Sequence, residues 1–186
     1  MSKKPRRVWI AASVALFAWA PYAAAQSARF QIEETTIAAV HRAMLRHELS
    51  CVELVQQYLS RIEQHNKVLR AIIHVNPNAL EIARKLDASL ASSGTLSGPL
   101  HCVPVAVKDA IDTAEMPTSG GSTAPFARLN PPADATVVAK LRAAGAIILA
   151  KSNLDEFGRG SSGLSNWSLP GSLANPRWAT LIAVKK

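Results

Sequence analysis

An apolar run ends in a lysine in the segment Gly98-Pro99-Leu100-His101-Cys102-Val103-Pro104-Val105-Ala106-Val107-Lys108-Asp109. Val103 to Val107 predict a buried β-strand, and Pro104 near its start favours an edge or entry position because proline cannot donate to a strand ladder. Since side chains alternate along a strand, Asp109 is expected to point away from Lys108. The segment therefore predicts a lysine at the end of a strand, where its charge is difficult to solvate.

A lysine in this position can act as a general base, but only when it is neutral. An ordinary lysine has a pKa of about 10.4, so half of the molecules are neutral at pH 7 only if the pKa falls to about 7. Full burial lowers a lysine pKa by about 3–5 units, and catalysis by Lys108 therefore requires deep enclosure. The alternative is an amine that extends to water, or one that pairs with Asp109 or Asp112.

A long loop, a helix and a second apolar strand follow this segment. Residues 116–132 are rich in Gly, Ser, Thr and Pro, and loops of this length in compact domains are commonly functional. A helix is expected from Asp134, as its N-cap, to Ala144. Gly145 ends this helix, and residues 146–150 form a strand. The order strand, helix, strand, with the two strands parallel, predicts an α/β protein with helices flanking a mixed, largely parallel sheet.

Three amphipathic helices precede the lysine strand. They are predicted near residues 35–46, 50–66 and 78–93, with a short β-favouring run at 71–75. Ser50-Cys51-Val52-Glu53 is a capping-box pattern, which marks the start of the second helix. Asn78 is expected to cap the third helix, and Gly94 to end it.

The first 25 residues are predicted to be a signal peptide and not part of the fold. Basic residues at positions 3–7 precede an apolar run at 8–20, and the alanines at 23–25 offer a cleavage site before Gln26. The apolar run is shorter than the roughly 20 residues of a transmembrane span, so a stable membrane anchor is the weaker interpretation. Arg6-Arg7 also permits a twin-arginine signal. The protein is therefore expected to be periplasmic or secreted.

Removal of this segment changes the charge balance and the classes of partner. The whole chain carries 21 Lys+Arg and 13 Asp+Glu, a net charge of +8. Residues 1–25 hold four of the basic residues and none of the acidic ones, which leaves 17 against 13, or +4. Much of the positive charge therefore belongs to the targeting segment. No motif interleaves aromatic and basic residues, so no nucleic-acid partner is expected.

Cysteine and histidine usage gives no metal site. Cys51 and Cys102 would be able to form a bridge in an oxidising compartment. Without the spacing of a disulfide framework, two buried unpaired thiols are the expected state. The five histidines are scattered and lack zinc-ligand spacing. No metal or organic cofactor is predicted.

Several motifs, taken in order, resemble those of the amidase signature family, serine hydrolases whose general base is a lysine. The motifs are the segment 98–109, Asp112-Thr113, Thr118-Ser119-Gly120-Gly121-Ser122, the helix 134–144 and Lys151-Ser152-Asn153-Leu154-Asp155-Glu156-Phe157. The resemblance implies Lys108 as the general base and an incomplete amidase-signature fold over residues 26–176, followed by a divergent short tail at 177–186. Cys102 stands where the family more often has glycine, which is expected to crowd the approach to the strand.

In that family the lysine acts through two serines. The resemblance implies that Lys108 exchanges a proton with a nucleophilic serine through a second serine held by a cis peptide, and that the acyl-enzyme forms on the nucleophile. Both serines lie in a Gly/Ser-rich segment soon after an Asn-Pro pair like Asn175-Pro176. Here Arg177-Trp178-Ala179-Thr180 follow instead. The sequence is therefore expected to end before the two catalytic serines.

No other serine is predicted to replace them. The sequence contains no Gly-x-Ser-x-Gly elbow, and the part after the signal contains no Ser-x-x-Lys pair. Ser119, Ser122, Ser161 and Ser162 are expected to hydrogen-bond the backbone of their loops, because a serine without a positioned base remains inert.

Two functions stay open at this point. The first is an exported amidase-family hydrolase that cleaves carboxamide C–N bonds of a small-molecule amide through an acyl-enzyme, with serines supplied from outside this chain. The second is a non-catalytic remnant or interaction fragment. By itself the chain is expected to be inactive. Strands left without partners predict low solubility or self-association through an exposed sheet edge.

Overall fold

Eight elements of secondary structure make up the part of the chain that the computed structural model describes, residues 30–122 and 130–159. In chain order they are α1 (Ile37–Leu45), α2 (Cys51–Leu69), β1 (Ile72–Val75), α3 (Ala79–Ser93), β2 (Pro104–Lys108), α4 (Thr136–Ala143), β3 (Ile147–Ser152) and a 3-10 turn (Glu156–Gly158). The predicted signal peptide, the predicted tail at 177–186, and Ser161 and Ser162 lie outside the described residues.

β3 is the central strand of a three-stranded mixed sheet with the order β1-β3-β2. β2 runs parallel to β3 and places Lys108 opposite Ser152, whereas β1 runs antiparallel and places Val75 opposite Ala150. All six residues of β3 are buried, as expected for a strand covered on both faces. The predicted α/β class and the parallel pairing are confirmed, and Pro104 lies at the entry of β2, an outer strand of the described sheet.

The core lies on both faces of this sheet because successive residues of β3 point to opposite sides. Ile147 and Leu149 belong to the larger buried cluster, which draws side chains from α1, α2 and α3. Ile148 belongs to a smaller cluster with Val107 and with Val138 of α4. The sheet is therefore held between three helices on one side and α4 on the other.

The start of α2 follows the sequence pattern, and its end does not. Ser50 Oγ accepts from the Glu53 N–H at 3.1 Å, and Glu53 Oε2 accepts from the Ser50 N–H at 2.8 Å, so the predicted capping box is confirmed. The helix continues past Asn66 to Leu69. The Asn66 side chain bonds both the N–H and the carbonyl of Ile72 at 2.9 Å. Asn66 therefore braces the turn into β1 and does not end the helix.

Of the two predicted N-cap residues, Asn78 is confirmed in position only and Asp134 is wrong. Asn78 occupies the N-cap position of α3, but its side chain makes no capping hydrogen bond. Asn76 Oδ1 instead accepts from the Asn78 N–H at 2.8 Å. Ala135 is the N-cap residue of α4, and the Asp134 carboxylate accepts from Arg142 Nε at 2.8 Å. At α4 the Arg142 guanidinium engages the side chain that was expected to cap the helix, whereas at α3 the Asn76 amide accepts the N–H of the N-cap residue itself.

Cys51 and Cys102 form a disulfide between the start of α2 and the segment before β2, so the prediction of two unpaired thiols is wrong. Their Cα atoms are 5.5 Å apart, and both residues are fully buried. The cysteines are 51 residues apart in sequence, and only the tertiary structure brings them together. Cys102 has a φ of 59°. This left-handed backbone accounts for the glycine that the family resemblance expects at the position.

None of the helices in the described ranges combines the length and the apolar character that a membrane span requires.

Candidate active site

Lys108 is the last residue of β2, at the end of the sheet where β3 also terminates. Lys108 Nζ donates to the Asn153 carbonyl oxygen at 2.8 Å. The side chain is exposed in the described part of the protein. The deep enclosure that a lysine base requires is therefore not supplied by residues 30–122 and 130–159.

The carbonyl that receives Lys108 is itself fixed. Asn153 is fully buried directly after β3. Its N–H donates to the Ala71 carbonyl at 2.8 Å, and its side-chain amide donates to the Arg70 carbonyl at 2.9 Å. Asn153 thus joins the end of β3 to the start of β1, and this junction determines where the Lys108 amine lies.

Asp109 is fully buried and serves a different set of groups. Its Oδ2 accepts from the Ser119 N–H at 3.0 Å, from the Gly121 N–H at 3.1 Å and from the Ser119 hydroxyl. Its main-chain carbonyl accepts from the Gly120 N–H at 3.2 Å. The expectation that Asp109 points away from Lys108 is therefore consistent with these contacts, which lie on the turn 118–122.

Lys151 is a second lysine at this end of the sheet, and it is fully buried. Its Nζ donates to the Ile111 carbonyl at 2.7 Å and to Thr118 Oγ1 at 2.8 Å, and lies 3.7 Å from Asp109 Oδ1. Burial lowers the pKa of Lys151, and the negative charges of Asp109 and Asp112 partly oppose this effect. The ion pair and the hydrogen bonds together compensate for the burial of a charged amine.

Sequence reasoning did not identify Lys151 as a site residue. The predicted strand stopped at Ala150, where the apolar run ends, whereas β3 continues through Ser152 with every residue buried. A lysine that extends a strand has no apolar signature. The available signal was the position of Lys151 inside one of the matched motifs.

The turn 118–122 passes close to the segment after β3. Gly120 and Gly121 have φ values of 62° and 76°. A Cβ at Gly121 would lie 2.6 Å from the Leu154 carbonyl oxygen, and a Cβ at Gly120 would lie 2.9 Å from the Phe157 ring. The positive φ favours glycine at both positions, and at Gly121 the approach of a backbone oxygen excludes a side chain as well.

Two hydrogen bonds join this turn to residues 154–158. Ser122 Oγ donates to Glu156 Oε1 at 2.6 Å, and the Phe157 N–H donates to the Gly120 carbonyl at 2.6 Å. Ser119 and Ser122 are thus loop residues as predicted, and the hydroxyl of each donates to a carboxylate, where a bond to the backbone was expected. Neither is placed as a nucleophile, because an acidic acceptor of this kind already holds each hydroxyl.

Three separate motifs therefore meet at one end of the sheet: Lys108-Asp109, the turn 118–122 and the segment 151–157. The arrangement offers an amine at the surface and a fixed turn of backbone beside it. It contains no group of three or more His, Cys, Asp or Glu side chains suited to a metal, as far as the described ranges extend.

Comparison with known proteins agrees with these motifs. The family model described as Amidase matches residues 53–183. One subunit of the glutamyl-tRNA(Gln) amidotransferase of Salinispora tropica is 44% identical over 132 residues, covering 70% of this chain and 26% of that protein. Its counterpart in Symbiobacterium thermophilum is 46% identical over 130 residues, covering 69% of this chain and 26% of that protein.

A solved structure shares the fold. The X-ray structure of native peptide amidase from Stenotrophomonas maltophilia matches with a TM-score of 0.65 and 39% identity, covering 72% of this chain and 28% of that enzyme. The chain thus spans little more than a quarter of the length of these relatives. Because the family match covers most of its residues and includes all three motifs at the end of the sheet, the chain belongs to the amidase family.

Proposed function

We propose that this chain supplies the lysine-bearing part of an enzyme that hydrolyses carboxamide C–N bonds, with Lys108 as the general base. The observation that carries the proposal is the meeting of Lys108-Asp109, the turn 118–122 and the segment 151–157 at one end of the sheet. The similar proteins are named as a peptide amidase and as part of an amidotransferase. Both names refer to amide chemistry, and a small-molecule amide is the substrate class proposed for this chain.

In the proposed reaction, neutral Lys108 accepts the proton of a nucleophilic serine through a relay serine. The serine oxygen bonds to the amide carbon, the C–N bond breaks, and the amine leaves with the proton while an acyl ester remains. Water then hydrolyses the ester, and backbone N–H groups stabilise the oxyanion in both steps. Ser119 and Ser122 are held by Asp109 and Glu156, and the family resemblance places both reacting serines in a segment after an Asn-Pro pair. The proposal therefore takes both serines from outside the described residues. The enclosure of Lys108 must come from there as well.

A non-catalytic remnant or interaction fragment is the second candidate. The exposure of the Lys108 side chain among the described residues favours it, because a lysine needs an enclosed site to serve as a general base. In that case the protein would have retained the fold and the three motifs of the family but would catalyse no reaction.

The catalytic and the non-catalytic candidate functions predict different results when this part of the chain is grafted into an active enzyme. Residues 30–159 would replace the matching 28% of the Stenotrophomonas maltophilia peptide amidase, and hydrolysis of peptide amides would be measured. We expect an active hybrid that loses at least about a thousandfold in kcat on Lys108→Ala, the scale of losing an essential base. Lys85→Ala, at an exposed helix position, is the matched control and should retain activity.

The 186-residue chain provides the complementary measurement. We expect no labelling by a fluorophosphonate serine probe, since neither Ser119 nor Ser122 is placed as a nucleophile. Stoichiometric labelling that a single serine substitution abolishes would contradict this expectation. A hybrid that keeps its activity with Lys108→Ala would remove Lys108 from the mechanism and favour the non-catalytic candidate.

We also propose that the protein is exported to the periplasm or secreted. The basic and apolar segment at 1–25 is one support, and the Cys51–Cys102 disulfide is another, because disulfides persist in oxidising compartments. Protein isolated under denaturing conditions with a thiol-blocking reagent should show no free thiol in the full chain. Deletion of residues 2–25 should leave both thiols reduced in the cytoplasm. Free thiols in the full chain would argue against export.

Self-association through a sheet edge remains a proposal. β2 is an outer strand of the described sheet, and an open strand edge can pair with a second copy. Light scattering across a dilution series measures this directly. A monomer at all concentrations would exclude it.

A further inference from the structure

A carboxylate beside the proposed general base presents an electrostatic problem. A nearby anion stabilises the ammonium form of a lysine, whereas a general base must lose its proton. Asp109 directly follows Lys108 in sequence and is fully buried. A buried carboxylate is poorly screened by salt, so its charge acts over a longer distance than that of a surface group.

The contacts of the Asp109 carboxylate are with groups other than Lys108. Oδ1 lies 3.7 Å from Lys151 Nζ, and both side chains are fully buried. Oδ2 receives the N–H groups of Ser119 and Gly121 and the Ser119 hydroxyl. One cation and three donors therefore act on the two carboxylate oxygens.

Lys151 is held by acceptors at the start of the turn 118–122 and in the segment before it. Its Nζ also donates to the Ile111 carbonyl at 2.7 Å, to Thr118 Oγ1 at 2.8 Å and to the Pro117 carbonyl at 3.3 Å. Lys108 engages a different acceptor, the carbonyl of Asn153. The two lysines thus use separate groups although they lie on adjacent strands, with Lys151 opposite Val107.

We propose that Lys151 is a positioning residue for the proposed reaction: by pairing with Asp109 it commits that carboxylate to the turn 118–121 and prevents it from serving as the counter-ion of Lys108. The inference rests on the proposed role of Lys108 as the base. It assigns to Lys151 no contact with the substrate, only control of the charge beside the base.

The other acidic groups at this end of the sheet stay constant in the test. Among the described residues they are Asp112, which acts on Lys151, Glu156, which accepts from Ser122, and the buried Asp155. Since none of them is changed in the variants below, their influence on Lys108 is the same in every sample.

The test measures how fast acetic anhydride acetylates the Lys108 amine of the full chain, read by mass spectrometry at pH 8 and low salt. Only a neutral amine reacts, so the rate reports the charge beside Lys108. Lys151→Met leaves Asp109 uncompensated and should slow the reaction about threefold, and Asp109→Asn leaves Lys151 uncompensated and should accelerate it by a similar factor. The double variant should react at the original rate.

The two single variants are expected to change the acetylation rate of Lys108 in opposite directions, and this distinguishes an electrostatic role of Lys151 from a merely structural one. If Lys151 only supported the fold, both single variants would loosen the site and change the rate in the same direction. Changes of the same sign, or no change in either variant, would overturn the inference. If Lys151→Met does not fold, the double variant should still react more slowly than Asp109→Asn, and equal rates would overturn it.

Lys85→Met is the matched control. Lys85 pairs with Glu81 at 2.6 Å on an exposed face of α3, and its loss should leave the rate at Lys108 unchanged. The measurement needs no catalytic turnover. If the acetylation rate of Lys108 changes in opposite directions in the two single variants but the hybrid enzyme is inactive, the electrostatic inference is supported and the proposed function is rejected. If the hybrid enzyme is active but neither variant changes the acetylation rate, the proposed function is supported and the inference is rejected.

Discussion

Lys108 and Lys151 lie on neighbouring parallel strands at the same end of one sheet, yet their surroundings are opposite. Lys108 is exposed and donates to the Asn153 carbonyl. Lys151 is fully buried among carbonyls, a hydroxyl and the Asp109 carboxylate. The difference shows that in this part of the fold the enclosed lysine is Lys151, and not Lys108, to which the family resemblance assigns the chemistry.

Replacing each lysine by methionine is expected to give the largest difference in the free energy of unfolding. Lys151→Met leaves Asp109 as a buried charge without its cation, and removal of one partner from a buried pair costs about 3–5 kcal/mol. Lys108→Met changes an exposed side chain and should alter the free energy of unfolding by no more than about 0.5 kcal/mol. Urea denaturation of the two variants measures both values. Similar losses would mean that the lysines do not differ structurally.

Glycine substitutions test whether the turn fixed by Asp109 and Lys151 is as rigid as its contacts imply. Gly121→Ala combines a positive φ with a Cβ placed 2.6 Å from the Leu154 carbonyl oxygen, and should cost about 2–4 kcal/mol. Gly94 also has a positive φ, but its Cβ would meet nothing within 4 Å. Gly94→Ala should therefore cost only about 1 kcal/mol. If thermal or urea unfolding shows equal losses of stability for the two variants, the turn is able to adjust its backbone to an added Cβ.

Alkaline titration distinguishes the buried lysine from its exposed neighbour. Because burial lowers the pKa of Lys151 below its ordinary 10.5, the folded chain loses this proton at a lower pH than the unfolded chain. Between those two pH values the unfolded state binds more protons, so the free energy of unfolding should rise with pH. Unfolding curves from pH 7 to pH 10 should show this rise in the original chain and in Lys108→Met. A rise of equal size in Lys151→Met would contradict the assignment.

Tyr58 supplies the smallest expected effect and acts in the opposite direction. Burial raises the pKa of Tyr58 from 10.0 to about 12, so the unfolded chain loses the phenolic proton first, and stability should fall between those pH values. Its hydroxyl is buried without a hydrogen-bond partner among the described residues. Tyr58→Phe should therefore leave stability unchanged at pH 7 or raise it by about 1 kcal/mol. It should also remove the alkaline fall, and a destabilised variant would point to a hydroxyl contact.

Patterns of local origin could be predicted from the sequence, and contacts between distant residues could not. The capping box at Ser50 and the parallel pairing of two apolar strands depend on neighbouring residues or on hydrophobic periodicity, and both are confirmed. The Cys51–Cys102 bridge was not predicted because the bond depends on how α2 packs beside β2. The burial of Lys151 was missed for a related reason, since its acceptors lie on a turn more than 30 residues earlier.

In the candidate site, too, the sequence predicts the motifs but not the contacts between distant residues. The motif resemblance indicated Lys108 and placed Ser119 and Ser122 in loops, but their carboxylate partners Asp109 and Glu156 depend on tertiary packing. Whether Lys108 becomes enclosed depends on residues beyond the described ranges. A single sequence gives the order of the motifs, whereas the charge environment of each side chain emerges only when the strands are placed side by side.

The left-handed backbone at Cys102 limits how this protein can change in the course of evolution. Both Cys102→Gly and Cys102→Ala would lose the covalent tether to α2, but Cys102→Ala would keep a Cβ in a conformation that costs an L-residue about 1–2 kcal/mol, a cost that glycine does not carry. A lineage that abandons the tether is therefore expected to pass through glycine. In the other direction, a relative with glycine at this position can acquire the tether by two point changes without altering the path of its chain.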